Sequence, residues 1–255
     1  MSKTISLNGR VTLTEVIESN VSLLAIDQIN PNAKVKVSLV RENQSEITII
    51  PNLKVGLISE SQKKIESLSF MSGYQMPVSS KVVQLSEAQD DQAANVPCLK
   101  NTFIDLGVNG EIVLGENDQI KLTFKDLNKL RQSTVHVVEG SRATDKFFTY
   151  NSSIWRKSET NKSVDLNNVD YLVFDPLQLP DQIDIIVNGE KVVYTTELLL
   201  MMQDEFFGNI LHNSTNNNSA FGYEYAVVLE VRGAQSVYFT KEEKATDYLY
   251  YTVKH

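Results

Sequence analysis

The sequence predicts an antiparallel all-β protein made of two consecutive β-sandwiches with one or two short helices. Three observations carry this. The dipeptide Asn-Gly occurs at 8–9, 109–110 and 188–189, each time between runs of strand-type residues. It is the preferred centre of a type I′ hairpin, because both central residues need positive φ. Alternation with period two dominates the rest of the chain. That alternation breaks once, from Gly140 to Asn168, where Ser, Asn, Thr and Lys prevail. The break divides the chain into a first sandwich over 1–145, a linker over 146–168 and a second sandwich over 169–255.

In the first half, Val35, Val37 and Leu39 alternate with Lys34, Lys36 and Ser38, and Ile47–Ile50 follows as a second strand. Successive side chains of a strand face opposite sides, so each such run offers one apolar face to a core. Residues 59–68 have helical character, with Ser59 and Gln62 at capping-box spacing. The acidic, Gln- and Ala-rich stretch 87–95 reads as a loop. Strands are expected at Phe103–Leu106, Ile112–Leu114 and Val135–Val138. Ile120, Leu122 and Phe124 alternate with Gln119, Lys121 and Thr123 in a further strand.

In the second half, strands are expected at Tyr171–Phe174, Ile183–Val187 and Val192–Tyr194. A helix follows: Thr195 can cap it, Glu197 lies in its first turn and Gly208 can end it. Leu198, Met201, Met202 and Phe206 fall on one of its faces. The Asn-rich stretch 213–219 reads as a loop tip. Tyr223, Tyr225, Val227, Leu229 and Val231 alternate in the next strand, and Val237–Thr240 and Tyr248–Val253 complete the set. Val108-Asn109-Gly110-Glu111-Ile112-Val113 echoes Val187-Asn188-Gly189-Glu190-Lys191-Val192. Shared turn chemistry accounts for the echo better than duplication does.

Composition bounds the function. The net charge is −8 and the pI about 5.0. The basic residues are scattered, which argues against direct nucleic-acid binding through phosphates. A single cysteine, Cys98, allows no intrachain disulfide. The first residues carry no apolar signal-peptide core, and no apolar run approaches the ~20 residues of a membrane span. Synthesis in a cytosol and stability from packing alone are the expectations.

No chemistry-bearing motif stands out. The three histidines, His136, His212 and His255, form no HExxH pair, and there is no Cys/His cluster, phosphate loop, GxGxxG or GxSxG. Asp165–Asp170 resembles the start of a calcium loop. It lacks the glycine at position 6, and Pro176 stands where the bidentate glutamate belongs. The thirty-two carboxylates cannot be sorted into a glycosidase pair. The expectation is no enzyme activity, no cofactor and no metal. Tyrosine is the one compositional hint, with Tyr223, Tyr225, Tyr238, Tyr248, Tyr250 and Tyr251 crowding the C-terminal third. Its apolar body and polar tip suit interfaces. Tyr248, Tyr250 and Tyr251, with the sole tryptophan Trp155, are the candidate interface residues.

The run Phe103-Ile104-Asp105-Leu106-Gly107-Val108-Asn109-Gly110-Glu111-Ile112-Val113-Leu114, followed by Asp118-Gln119-Ile120-Lys121-Leu122-Thr123-Phe124, looks like strands of a viral jelly roll. With the similar strand, hairpin and helix succession of the second half, the chain resembles the double jelly-roll major capsid proteins of tailless icosahedral bacteriophages with an internal membrane. The resemblance implies two jelly-roll-like sandwiches and a capsid subunit. That subunit would form homotrimers and a shell with other capsid proteins over an internal lipid membrane, in a virion assembled from host-cytoplasmic synthesis. The second half is short for eight strands. The alternative is a β-sandwich binding module: a phage spike, adhesin or carbohydrate-binding protein.

Overall fold

The computed structural model describes residues 3–42, 44–70, 81–83, 98–100, 102–127, 132–207, 225–242 and 246–254. Strands β1 (Thr4–Ser6), β2 (Leu13–Ile17), β3 (Leu23–Asp27), β4 (Lys34–Val40) and β5 (Ile47–Lys54) lead into helix α1 (Val55–Phe70). The pair β6 (Lys81–Val83) and β7 (Cys98–Lys100) precedes β8 (Thr102–Asp105), β9 (Glu111–Ile112), β10 (Gln119–Lys125) and β11 (Thr134–Val138). A short strand, β12 (Ala143–Thr144), lies parallel to β9. The chain continues as β13 (Thr149–Trp155), β14 (Asn161–Ser163), β15 (Tyr171–Phe174), β16 (Gln182–Val187) and β17 (Glu190–Thr195). Helix α2 (Thr196–Phe207), β18 (Val227–Glu230), β19 (Ser236–Thr240) and β20 (Tyr248–Lys254) complete it.

The large sheets are β1-β11-β3-β8 and β2-β10-β4-β5, then β13-β20-β15-β18 and β14-β19-β16-β17. Counting eight main strands in each half, both halves read 1-8-3-6 on one sheet and 2-7-4-5 on the other. That order is the jelly roll, two Greek keys closed over one core, and here it occurs twice. Each helix directly follows the fifth strand of its own sandwich.

Register explains the core. β10 pairs with β4 so that Ile120 faces Leu39, Leu122 faces Val37 and Phe124 faces Val35, and all six are buried. The second core gathers Trp155, Leu172, Phe174, Ile183, Ile185, Val227, Leu229, Val237, Phe239 and Tyr250. The first core does not stop at the first sandwich. It also takes in Tyr150, Tyr171, Val173, Val228 and Val253 from the outer face of the sheet β13-β20-β15-β18.

The segment 146–168, expected to be a linker, instead supplies β13 and β14, and these bring the second half to eight strands. Both lie at sheet edges, paired on one side only, β13 with β20 and β14 with β19. Edge strands can present polar side chains to water, so the apolar alternation that marks a strand is missing from them. The same cause hides β1 and β2, at the edges of their own sheets.

Helix α1 starts at Val55, four residues before the predicted cap. Its first amides, Val55 N and Gly56 N, donate to Ala33 O and Pro31 O at 2.7 and 2.9 Å. A preceding turn thus does the work of a capping side chain, and Ser59 is buried within the helix. In α2 the sequence reading holds at the N-terminus, where Thr195 Oγ1 accepts from Leu198 N at 3.2 Å. Gly208 and the stretches 87–95 and 213–219 lie outside the described residues. No described helix is long and apolar enough to cross a membrane.

The three Asn-Gly pairs do different jobs. Only Asn188-Gly189 is the two-residue hairpin, joining β16 to β17 with φ of 52° and 80°. Asn8-Gly9 leads from β1 to β2, which belong to different sheets. At 109–110 only Asn109 has positive φ. Gly110 is needed there for closeness, since a Cβ would stand 2.5 Å from Arg142 O in the segment that carries β12. The echoing hexapeptides therefore occupy non-equivalent places in the two sandwiches.

At Gly189 a Cβ would meet nothing within 4 Å, so the cost of a side chain is torsional alone. Gly189→Val is expected to lower the unfolding free energy by about 1 kcal/mol or more, read by denaturant titration. An unchanged midpoint would contradict the turn.

Candidate functional site

Of the four aromatic residues expected at an interface, two are core. Trp155 is 1% exposed and Tyr250 5%. Trp155 packs on Phe239 at 5.7 Å between ring centroids and meets Tyr248 edge-on at 6.1 Å. Tyr250 meets Phe239 edge-on at 5.0 Å. The buried ammonium of Lys241 lies 4.7 Å from both the Trp155 and the Tyr248 ring, and it donates to Arg156 O at 3.0 Å. Tyr248 is half-buried on this cluster. Alternation sends Tyr251 to the opposite face of β20, where it packs against the first core. The interface expectation is thus corrected for Trp155 and Tyr250. Composition marked these residues as interfacial, but their phase along the strands turns them inward.

The site that the fold does build is the junction between the sandwiches. Helix α1 carries it. Ser61 Oγ bonds Tyr150 OH at 2.9 Å. Lys64 Nζ donates to Ala226 O at 2.6 Å and pairs with Glu60 Oε1 at 2.9 Å, both side chains being largely buried. Glu60 Oε2 accepts from Tyr225 N at 2.5 Å. Toward its own sandwich, the Gln62 amide of the same helix bonds both backbone groups of Asp105 in β8, accepting from its N–H at 2.8 Å and donating to its C=O at 2.7 Å. At the rim, Lys54 Nζ pairs with Asp175 at 2.7 Å. Strand β5 lies beside β13. A buried ion pair of this kind fixes position more than it adds stability.

The residues considered for chemistry are dispersed. His136 is exposed on the outer face of β11, beside Thr4 Oγ1 at 3.2 Å. His212 and His255 lie outside the described residues. Asp165 Oδ1 accepts from Asn167 N at 3.0 Å, an ordinary polar turn. Among the described residues no group of three His, Cys, Asp or Glu could hold a metal.

Exposed apolar side chains are spread over both sandwiches, Val11, Ile47, Val113 and Tyr238 among them. Ile154 and Leu249 face each other across β13 and β20, near Leu177. Val192 and Val193, on opposite faces of β17, and Leu198 and Met201 on α2 are also exposed. The predicted apolar face of α2 is rotated from its expected place. Leu199 is the buried residue, whereas Leu198 and Met201 point to solvent. The run Leu198-Leu199-Leu200-Met201-Met202 is apolar all round. Periodicity could not choose its buried side, but the run itself signalled a helix with two apolar surfaces.

No protein-family model matches the chain, and no curated protein matches it in sequence. Among solved structures, it is similar to the crystal structure of the major capsid protein P2 from Bacteriophage PM2. The TM-score is 0.47 and the sequence identity 10%, over 100% of this chain and 98% of that one.

Removing one partner of the Glu60–Lys64 pair strands a buried charge. Lys64→Met is expected to cost about 3 kcal/mol, and the double variant Glu60→Gln/Lys64→Met less than that, both read by urea denaturation. A double-variant loss equal to the sum of the Lys64→Met and Glu60→Gln losses would mean that the pair is not coupled.

Burial raises the phenol pKa of Tyr250 and Tyr251. For Tyr251 the Asp175 carboxylate raises it further, and for Tyr250 a bond with Ser153 works in the other direction. The folded state therefore holds these protons more tightly than the unfolded chain. Stability from this source is intact below the ordinary value near 10 and is lost as the pH rises from there through the raised folded-state value. Tyr250→Phe and Tyr251→Phe should each flatten this alkaline decline. A decline identical to that of the parent would remove these residues as its cause.

Proposed function

We propose that this chain is a structural subunit of a viral shell, a capsid protein of a tailless icosahedral bacteriophage. The observation that carries the proposal is the double strand order: two complete jelly rolls in one chain, locked by a shared core and a buried ion pair. A fold alone does not name an activity. Here the site that the chain invests in is itself a protein–protein contact, internal to the subunit, and wall-building is the function such a contact serves. The resemblance read from residues 103–124 points the same way.

In this reading the chain divides near residue 145 into two wall units. The subunits associate as homotrimers, and the trimers tile with other capsid proteins over an internal membrane. The protein is made in the host cytoplasm and resides in the virion. An acidic surface suits a shell that does not itself hold nucleic acid.

Light scattering coupled to size-exclusion chromatography, at micromolar concentration, tests this. The expected species has three times the mass of the 28.7 kDa chain, and negative-stain images show compact rings or shells. A folded monomer that persists in the presence of anionic vesicles would overturn the proposal.

A further inference from the structure

We infer that Asn188-Gly189, at the tip of the β16–β17 hairpin, is a spontaneous modification site: Asn188 converts to aspartyl and isoaspartyl forms, at a pace set by Gln235. This inference is independent of the shell reading.

The backbone nitrogen of the residue after an asparagine can attack the side-chain carbonyl carbon. A bond forms between that nitrogen and Cγ, the Cγ–Nδ2 bond breaks, and the proton of the attacking nitrogen leaves with the amino group as ammonia. Water then opens the succinimide ring. Cleavage at Cγ restores the peptide as Asp. Cleavage at the backbone carbonyl reroutes the chain through Cγ, as isoaspartate. Nothing is oxidised or reduced, and water is the only co-reactant. Asparagine is thermolabile, and a following glycine leaves the nucleophile unshielded and conformationally free. The reaction needs a carboxamide free to turn and a backbone free to bring the next nitrogen to it.

The fold treats its three Asn-Gly pairs unequally. Asn8 is tethered, since its Oδ1 accepts from Ser133 N at 2.8 Å. Releasing it would leave the amide of buried Ser133 unpaired. The other two pairs sit in the same tetrapeptide, Val-Asn-Gly-Glu, at 108–111 and 187–190. Any difference between them therefore comes from the fold. Asn109-Gly110 is clamped on both sides: Val108 N donates to Lys146 O at 3.0 Å and Glu111 N to Arg142 O at 2.7 Å. Ser22 Oγ also donates to Gly110 O at 2.9 Å. A backbone so enclosed does not turn to offer its nitrogen.

Asn188-Gly189 has neither kind of restraint. Both residues are exposed, and a Cβ on Gly189 would meet nothing within 4 Å. Among the described residues no hydrogen bond holds the Asn188 carboxamide. β17 is an edge strand, paired with β16 alone, so this tip opens at low cost. The restraint that remains acts on the nucleophile. Gly189 N donates to Gln235 Oε1 at 3.0 Å, and Gln235 is itself anchored through its N–H to Ile186 O at 2.7 Å. The bond aims the Gly189 N–H at a carboxamide, which is no base. Conversion waits for this contact to open, and Gln235 is thus a positioning residue. Either product places a new carboxylate beside Glu190. Isoaspartate also adds a backbone atom to a turn whose length sets the β16–β17 register.

Peptide mapping by mass spectrometry, with isoaspartate detected by enzymatic methylation, tests the inference on folded protein kept warm at mildly alkaline pH. Conversion is expected first at 188, whereas in urea 109 and 188 convert at similar rates. Gln235→Ala, at an exposed position, is expected to speed conversion at 188 by about fivefold, the factor carried by one ordinary hydrogen bond. The rates at 8 and 109 stay unchanged. A folded parent that converts first at Asn8 or Asn109, or at none of the three, would overturn the inference. So would a rate at 188 indifferent to Gln235→Ala, or a rise at all three sites together, which marks general unfolding instead of a local brake.

Discussion

Strand β15 is buried on both faces, and the rest of the molecule is arranged around that constraint. Leu172 and Phe174 fill the second core, while Tyr171 and Val173 complete the first. Four successive residues thus serve two interiors. An ordinary antiparallel sheet of a sandwich keeps one face wet. Here the sheet is a shared partition, and β18 repeats the pattern with Val227 and Leu229 on one side and Ala226 and Val228 on the other. Close-packed interiors transmit small displacements. A shift of this sheet would therefore disturb both cores at once, which ties the two sandwiches into one mechanical body.

The polar contacts around the partition add direction to that packing. Apolar burial is not directional, so it would tolerate several relative settings of the sandwiches. The Glu60–Lys64 pair, the Ser61–Tyr150 bond and the Lys54–Asp175 pair each have one satisfactory geometry. Together they select a single setting.

Much of the fold was legible because central strands advertise themselves. Val35, Val37 and Leu39 and their partners Ile120, Leu122 and Phe124 alternate cleanly, and all are buried. Other elements stayed hidden for physical reasons. Edge strands β13 and β14 read as a linker because their solvent faces are polar. The face of α2 was misplaced because its run Leu198-Leu199-Leu200-Met201-Met202 is apolar all round. The junction was invisible because Glu60 and Lys64 look like any surface pair at i, i+4 spacing. Only the tertiary fold brings β18 against them. Tyrosine content pointed to contacts between subunits, whereas Tyr250 faces its own core and Tyr251 faces the neighbouring sandwich of the same chain. The two halves also show how loosely one topology constrains sequence. Equivalent helices are started by carbonyls in one case and by Thr195 in the other.

The bidentate contact of Gln62 with Asp105 has a consequence for solubility. β8 is the last strand of its sheet, and a free strand edge is a template for uncontrolled addition of further chains. The Gln62 amide has the same donor and acceptor pair as a peptide unit and occupies the place that an intruding backbone would take. The sheet is thereby terminated by its own helix. Folding of the chain is thereby kept from competing with edge-to-edge growth of the same sheet.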